Sequence, residues 1–171
     1  MLVYISRASL RAPRSHGFYR FIAWEFIVAL FLLNVDVWFR APLSWPQLIS
    51  WFLLTVSLVQ LILGVRSLMT RGKPVKQRNA EPQLFAFEKT SSLVTTGTYR
   101  YIRHPLYSSL LFLTWGVFFK APGWLGALAA LAATLFLVAT AKADEAECIQ
   151  FFGPPYRAYL KRTKMFVPFA F

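Results

Sequence analysis

The feature that most constrains this chain is a series of four apolar runs, at about residues 21–39, 45–68, 107–119 and 124–141. A helix needs about 20 residues to cross the hydrocarbon core of a bilayer, so the first two runs indicate full spans. The last two are shorter and indicate a tight helical hairpin. Only 15% of residues are charged, against about 25% in soluble domains. We therefore predict an all-α polytopic membrane protein with about four transmembrane helices and a C-terminal helix outside the bilayer.

The basic residues are distributed unequally around these runs. Of 19 Lys and Arg, four precede the first run, eight lie between Arg66 and Arg103, and five follow residue 141, whereas the other two connections hold only Arg40 and Lys120. Positive residues favour the cytoplasmic side, so both termini are expected there. The net charge of +12 would also suit nucleic acid, but the cations flank apolar spans and do not line a soluble helix face. We expect membrane lipids as partners, and no nucleic acid.

A polar stretch, LVTTGTYRYIRHPLY at residues 93–107, lies directly before the third run. Proline disfavours helix at the residue before it and suits a first helical turn, so Pro105 places His104 at a helix mouth. Arg103 and Tyr107 then lie where a membrane helix meets water. Such residues are often only snorkelling anchors, so this stretch gains functional meaning from the rest of the chain.

A second polar patch follows the fourth run, where Asp144, Glu145 and Glu147 come together. These acids can neutralise a cationic ligand, or they can pair with Lys142 or Arg103 as an ordinary helix face. The single cysteine, Cys148, excludes an intramolecular disulfide and a cysteine metal cluster. We interpret it as a small apolar helix residue and expect no metal site.

Taken together, these motifs resemble the membrane methyltransferases related to isoprenylcysteine carboxyl methyltransferase, with the phospholipid N-methyltransferases as more distant relatives. The resemblance covers residues 91–168 and rests on Leu93 to Tyr99, Arg103 to Tyr107, Asp144-Glu145, Phe152-Gly153, Tyr156, Tyr159 and Pro168. It implies an S-adenosylmethionine site on the cytoplasmic side. The residues implied to contact the cofactor are Leu93, Val94, Gly97, Tyr99, His104, Pro105, Leu106, Tyr107, Asp144 and Glu145. Catalytic roles are implied for Arg103, His104 and Glu145.

The resemblance also implies a division of the single domain, 1–171. Residues 1–68 would form an N-terminal arm and two membrane helices, and residues 69–171 the cofactor-binding part. The acceptor is expected to be lipid-like or prenylated, methylated at a carboxylate or as a lipid. Thr140 stands where prenylcysteine-specific members have an arginine for the acceptor's carboxylate. An ionised carboxylate needs no general base, whereas an amine, phenol or thiol would, with Glu145 or His104 as candidates.

Two other functions compete with this expectation. A sterol-reductase-like membrane enzyme would bind NADPH, and its ribose phosphate would need cations such as Lys73, Lys76 and Arg78. A non-catalytic membrane scaffold would bind neither cofactor. The lack of an obvious organelle signal favours a bacterial inner membrane.

Overall fold

The chain folds into a bundle of helices. The computed structural model describes residues 15–72 and 92–168, so the N-terminal arm and the cluster of Lys73, Lys76 and Arg78 lie outside the described residues. The helices are α1 (His16–Asn34), α2 (Trp45–Arg71), α3 (Pro105–Phe118), α4 (Trp124–Phe152) and α5 (Pro154–Leu160). Two short 3-10 turns, Val35–Val37 and Gly97–Arg100, accompany them.

Three of these helices are long and apolar enough to cross a membrane. They are α1 with the turn that follows it, α2 and α4. The expected all-α polytopic membrane fold is thereby confirmed. The helix α3 has only 14 residues, which gives a length of about 21 Å against a hydrocarbon core of about 30 Å.

Capping residues explain where the helix ends differ from the limits of the apolar runs. The first helix begins at His16 and not near residue 21, because the Ser15 hydroxyl accepts a hydrogen bond from the Phe18 amide. The last long helix continues past residue 141 to Phe152, and Gly153 ends it with a φ of 65°. A positive φ is a conformation that glycine adopts without strain. The acids at 144, 145 and 147 are therefore part of the membrane helix and not of a separate tail.

The helices pack in two pairs, α1 against α4 and α2 against α3, and α3 also contacts α1 and α4. A core cluster of Leu30, Val117 and Ala130 joins three of them. At the α2–α3 crossing, a Cβ on Gly116 would come within 2.9 Å of the Leu54 side chain. Glycine at this position therefore permits the close approach of the two helices.

A polar cluster closes one end of the bundle. Lys120 is buried, its Nζ donates a hydrogen bond to Gln47 Oε1 at 3.0 Å, and the same nitrogen lies 3.3 Å from the ring centroid of Trp51. The Gln47 amide in turn donates to the backbone oxygens of Lys120 and Val37. The α1–α2 and α3–α4 connections are thus joined through α2.

At the other end, the short α3 leaves a recess between longer neighbours. It begins where Pro105 and Leu106 face Gly64 of α2, and α2 continues for seven residues to Arg71, about 10 Å further. Near Ala141, α4 packs against Tyr107 and then continues to Phe152. The ends of α2 and α4 therefore extend beyond the start of α3 and form walls above it.

Candidate functional site

The recess contains a cleft of about 700 Å³, part of which is open to solvent. Its lining comes from α2, the 93–107 stretch, the end of α4 and α5, namely Leu68, Leu93, Val94, Tyr99, Arg103, His104, Leu106, Tyr107, Asp144, Cys148, Phe152, Tyr156 and Tyr159. The cleft is thus mostly apolar and aromatic, with a small set of charged groups at one wall.

His104 lies at the centre of the charged groups. It is buried at the N-cap position of α3, with Nδ1 3.5 Å from Asp144 Oδ2 and Nε2 3.3 Å from Glu145 Oε1. Its ring stacks on Tyr107 with centroids 5.4 Å apart. Burial lowers the pKa of His104, but hydrogen bonds to Asp144 and Glu145 and their negative charges outweigh it, so the pKa is raised above 6.5. The fold therefore favours the imidazolium form.

Arg103 holds the second carboxylate of the pair. Its Nε donates to Glu145 Oε1 at 2.7 Å, and its Nη1 donates to the backbone oxygen of Thr163. Glu145 is thus shared between Arg103 and His104 and does not line the cleft. Asp144 is the carboxylate that faces it.

The C-terminal tail is fastened to the 93–107 stretch by backbone pairing. The Arg103 amide donates to Lys164 O at 2.8 Å, the Lys164 amide donates to Tyr101 O at 3.0 Å, and a parallel bridge joins Ile102 to Lys164. Further along, Ser108 Oγ donates to Phe166 O at 2.7 Å, and Phe166 is fully buried. The tail therefore covers the start of α3 and excludes water from behind His104.

Aromatic rings from the end of α4 and from α5 form another part of the lining. Phe152 stacks on Tyr156 at 6.3 Å, and Tyr156 meets Tyr159 edge-on at 5.8 Å. The Tyr159 hydroxyl donates to the backbone oxygen of Tyr99 at 2.6 Å, which ties α5 to the 3-10 turn. Burial raises the pKa of both Tyr156 and Tyr159, so their phenols stay neutral.

The first helix reaches the same end of the bundle through His16. This residue is fully buried, and its Nδ1 lies 2.6 Å from Glu147 Oε2. Its backbone amide donates to the other oxygen of Glu147 at 3.1 Å. Because Glu147 lies one helical turn from Asp144, this contact fixes the end of α4 from the side away from Arg103.

The structure brings most of the residues implied by the resemblance to one cleft. Those that line it are Leu93, Val94, Tyr99, Arg103, His104, Leu106, Tyr107 and Asp144. Gly97, Pro105 and Glu145 do not line it. At Gly97, where φ is 68°, a Cβ would lie 2.9 Å from Ser67 Oγ and from Arg71 Nη1, so this glycine lets the 3-10 turn pack on α2. Pro105 starts α3, and Glu145 orients its two cationic neighbours.

Five lining residues carried no assigned contact in the sequence analysis: Leu68, Cys148, Phe152, Tyr156 and Tyr159. The resemblance already rested on the three aromatic residues, and that match could have indicated them. Leu68 and Cys148 offered no such signal. Cys148 was interpreted as an ordinary apolar residue, but its thiol donates a hydrogen bond to Asp144 Oδ1 at 3.6 Å.

Among the described residues, no group of three or more His, Cys, Asp or Glu side chains could hold a metal ion. A family model described as phospholipid methyltransferase matches residues 56–152, which is more than half of the chain. The matched part runs from the middle of α2 to the end of α4. Comparisons with curated proteins and with solved structures give no match.

Proposed function

Because the chain belongs to the phospholipid methyltransferase family, we propose that it transfers a methyl group from S-adenosylmethionine to a lipid acceptor at the membrane boundary. The observation that carries this proposal is the composition of the cleft. Its lining combines the Asp144 carboxylate with the aromatic side chains of Tyr99, Tyr107, Phe152, Tyr156 and Tyr159. Both kinds of group stabilise organic cations.

The cleft fits this cofactor chemically. When bound, S-adenosylmethionine supplies an electrophilic methyl group on a sulfonium sulfur, and it also carries an ammonium and a carboxylate. Asp144 can bind a cationic group, and Tyr107 and Tyr156 can place ring faces against another. Arg103 also lines the cleft; its Nε and one Nη1 donor are bonded to Glu145 and Thr163, and its remaining guanidinium donors can bind the carboxylate. All three charges thus have a partner among the lining residues.

The remaining task of the protein is to position the reactants and to exclude water. The tail covers the site behind His104, and the neutral tyrosines offer no competing anion. An ammonium acceptor must lose a proton before its lone pair can attack the methyl carbon, and a neutral His104 can take that proton. Because the pKa of His104 is raised, this role requires a pH above the usual range for histidine.

The acceptor is proposed to be a phospholipid headgroup and not a prenylcysteine carboxylate. Thr140, which stands where prenylcysteine-specific members have an arginine, is fully buried and donates its hydroxyl to Phe136 O. It therefore offers no cation to a carboxylate. The acceptor would approach from the bilayer between the helices, while the soluble cofactor would arrive from the cytoplasm, the side that the basic residues favour. The membrane is proposed to be a bacterial inner membrane.

The competing NADPH-binding function finds less support in the cleft. Its cationic lining residues in the described part of the chain, Arg103 and His104, are both paired with carboxylates. A dinucleotide rich in phosphate would have to approach Asp144 as well. This charge distribution favours a cationic cofactor.

Calorimetry on the purified protein, with S-adenosylmethionine, S-adenosylhomocysteine and NADPH as separate titrants, tests the proposal. We expect the first two to bind and NADPH not to bind. The Asp144→Asn variant should bind S-adenosylmethionine at least about tenfold more weakly, since one charge-assisted hydrogen bond is lost. Asp36→Asn, at an exposed carboxylate of the other end of the bundle, should bind as the parent does.

Transfer of a labelled methyl group to extracted membrane lipids, followed by mass spectrometry, then identifies the acceptor. Binding of NADPH alone would overturn the proposal in favour of a reductase. Transfer to soluble acceptors with none to lipids would also overturn it.

A further inference from the structure

A second cleft lies beside the first and has a different chemical character. It holds about 830 Å³ of space connected to solvent, and its walls include Thr95, Arg100, Tyr159, Arg162 and Thr163. Tyr159 contributes to the walls of both clefts. Its hydroxyl is bonded to Tyr99 O and its carbonyl accepts from Thr163 Oγ1. The shared residue is therefore held in place from both sides.

The two arginines of this cleft are available for an anionic ligand. Both are exposed, and neither pairs with a carboxylate in the described part of the chain. Arg100 lies over the ring of Tyr101, with 5.8 Å from its Cζ to the centroid. Arg103, in contrast, is already bonded to Glu145 and Thr163. Within the described residues, Arg103 is therefore paired with a carboxylate, whereas Arg100 and Arg162 are not.

The surroundings make the second cleft strongly positive. Arg157, Lys161 and Lys164 are also exposed on α5 and the tail. Of the acids in the described residues at this end, Asp144, Glu145 and Glu147 are each bound to a histidine or to Arg103. A basic surface at the end of a membrane bundle attracts anionic groups at the bilayer surface.

We propose that Arg100 and Arg162 bind the phosphodiester of the acceptor's headgroup. A guanidinium donates two parallel hydrogen bonds to phosphate oxygens, and the Thr95 hydroxyl can add a third donor. The inference rests on the proposed function, because the wall shared through Tyr159 puts the phosphate next to the methyl-donor cleft. A headgroup anchored in this way extends its nucleophile toward the first cleft. The second cleft thus selects acceptors that carry a phosphate.

The same oxygen chemistry could come from a free phosphate compound and not from a lipid. A short-chain phosphatidyl lipid and inorganic pyrophosphate therefore serve as two separate probes. A short-chain diacylglycerol, which has the acyl chains and lacks the phosphate, is the third. We expect the full-length protein to bind the phosphatidyl lipid at least about tenfold more tightly than either of the other two probes. Diacylglycerol lacks the charge-assisted hydrogen bonds to phosphate, and pyrophosphate lacks the acyl contacts.

The decisive variant carries Arg100→Gln and Arg162→Gln together. It should bind the phosphatidyl lipid at least about tenfold more weakly than the parent. Its matched control carries Arg157→Gln and Lys161→Gln, which remove the same charge from the same surface outside the cleft. The control should stay within about threefold of the parent, since exposed charges that do not line the cleft act on the phosphate only through solvent and salt screening. Equal losses in the two variants would overturn the proposal in favour of general attraction to anionic surfaces.

Two further results keep this inference separate from the proposed function. The affinity for S-adenosylmethionine should be the same in the parent and in the Arg100→Gln/Arg162→Gln variant, because neither arginine lines the first cleft. If the parent binds no S-adenosylmethionine, the proposed function fails, and the inference that rests on it fails too. If pyrophosphate binds as tightly as the lipid, the site is for a soluble anion and the lipid assignment is overturned.

Discussion

Replacing Arg103 by methionine should loosen the C-terminal tail without unfolding the bundle. The side chain links the 93–107 stretch to α4 through Glu145 and to the tail through the Thr163 carbonyl. Methionine keeps the apolar stem and removes every donor. The bundle itself depends on contacts among α1, α2, α3 and α4 that this residue does not make.

The size of the effect follows from the exposure of the broken contacts. A hydrogen bond to a charged group contributes about 1.5 to 3 kcal/mol, and the two side chains of the pair are only 12% and 16% exposed. Water in the cleft can partly replace the lost donors. We therefore expect a local cost of roughly 2 to 3 kcal/mol, equal to a rise of about 30- to 150-fold in the opening equilibrium of the tail.

Amide hydrogen exchange measures this opening directly, because the amides of Arg103, His104 and Lys164 donate across the junction. In the Arg103→Met variant these amides should exchange faster by the stated factor, and amides within α1 should not change. Arg157→Met, at an exposed position of α5, is the matched control. Unchanged exchange at the junction would refute the reasoning, since the bond from Ser108 to Phe166 and the burial of the latter would then suffice to hold the tail.

Three more predictions test the site and the far end of the bundle. Maleimide should label the Cys148 thiol, and S-adenosylmethionine should slow this labelling in proportion to its occupancy of the cleft. In a Cys148→Ser/Ala146→Cys variant the only thiol is exposed, and S-adenosylmethionine should not slow its labelling. Equal slowing in the parent and in the variant would contradict the proposed position of the cofactor. Lys120→Met should lower the melting temperature followed by tryptophan fluorescence, since a desolvated cation–π contact contributes about 2 kcal/mol and Gln47 Oε1 loses its donor. The control Lys161→Met should not lower it. An unchanged melting temperature of Lys120→Met would show that the cost of burying the charge cancels the contacts that the charge makes. Because the pKa of His104 is raised, its stabilising contribution is complete below pH 6.5 and is lost as the pH rises through the folded pKa. The melting temperature of the parent should therefore fall over that pH range, and that of His104→Gln should not. Identical pH profiles of the two melting temperatures would count against the ion pairs.

The general architecture could be predicted because apolar run length and the position of Pro105 are local signals. The proline placed His104 at a helix mouth, and the structure has His104 at the N-cap of α3. The acids after the fourth run were also recognised as a second polar patch. Their position on α4 itself was not predicted, because a helix that leaves the membrane loses its apolar character while its backbone continues unchanged.

The attachment of the tail could not be predicted. The Arg103 amide bonds to the Lys164 carbonyl, about 60 positions along the chain, and backbone hydrogen bonds leave no side-chain pattern to detect. For the same reason Gly97 was taken for a contact residue, although its φ of 68° and its closeness to Ser67 give it a backbone role. Non-local packing, more than local propensity, determines which residues face the cleft.

The dimensions of α3 explain why the chemistry is found at this end of the bundle. Pro105 prevents the helix from beginning earlier, so 14 residues stand between neighbours of 27 and 29. A longer α3 would fill the recess with its own first turns and bury the walls. Because it is short, the preceding stretch must leave the helical path at His104, fold over the recess and meet the acids of α4. If this end of the bundle lies at the bilayer surface, as the proposed function requires, the space thus left open is one that a soluble donor and a lipid acceptor can both reach.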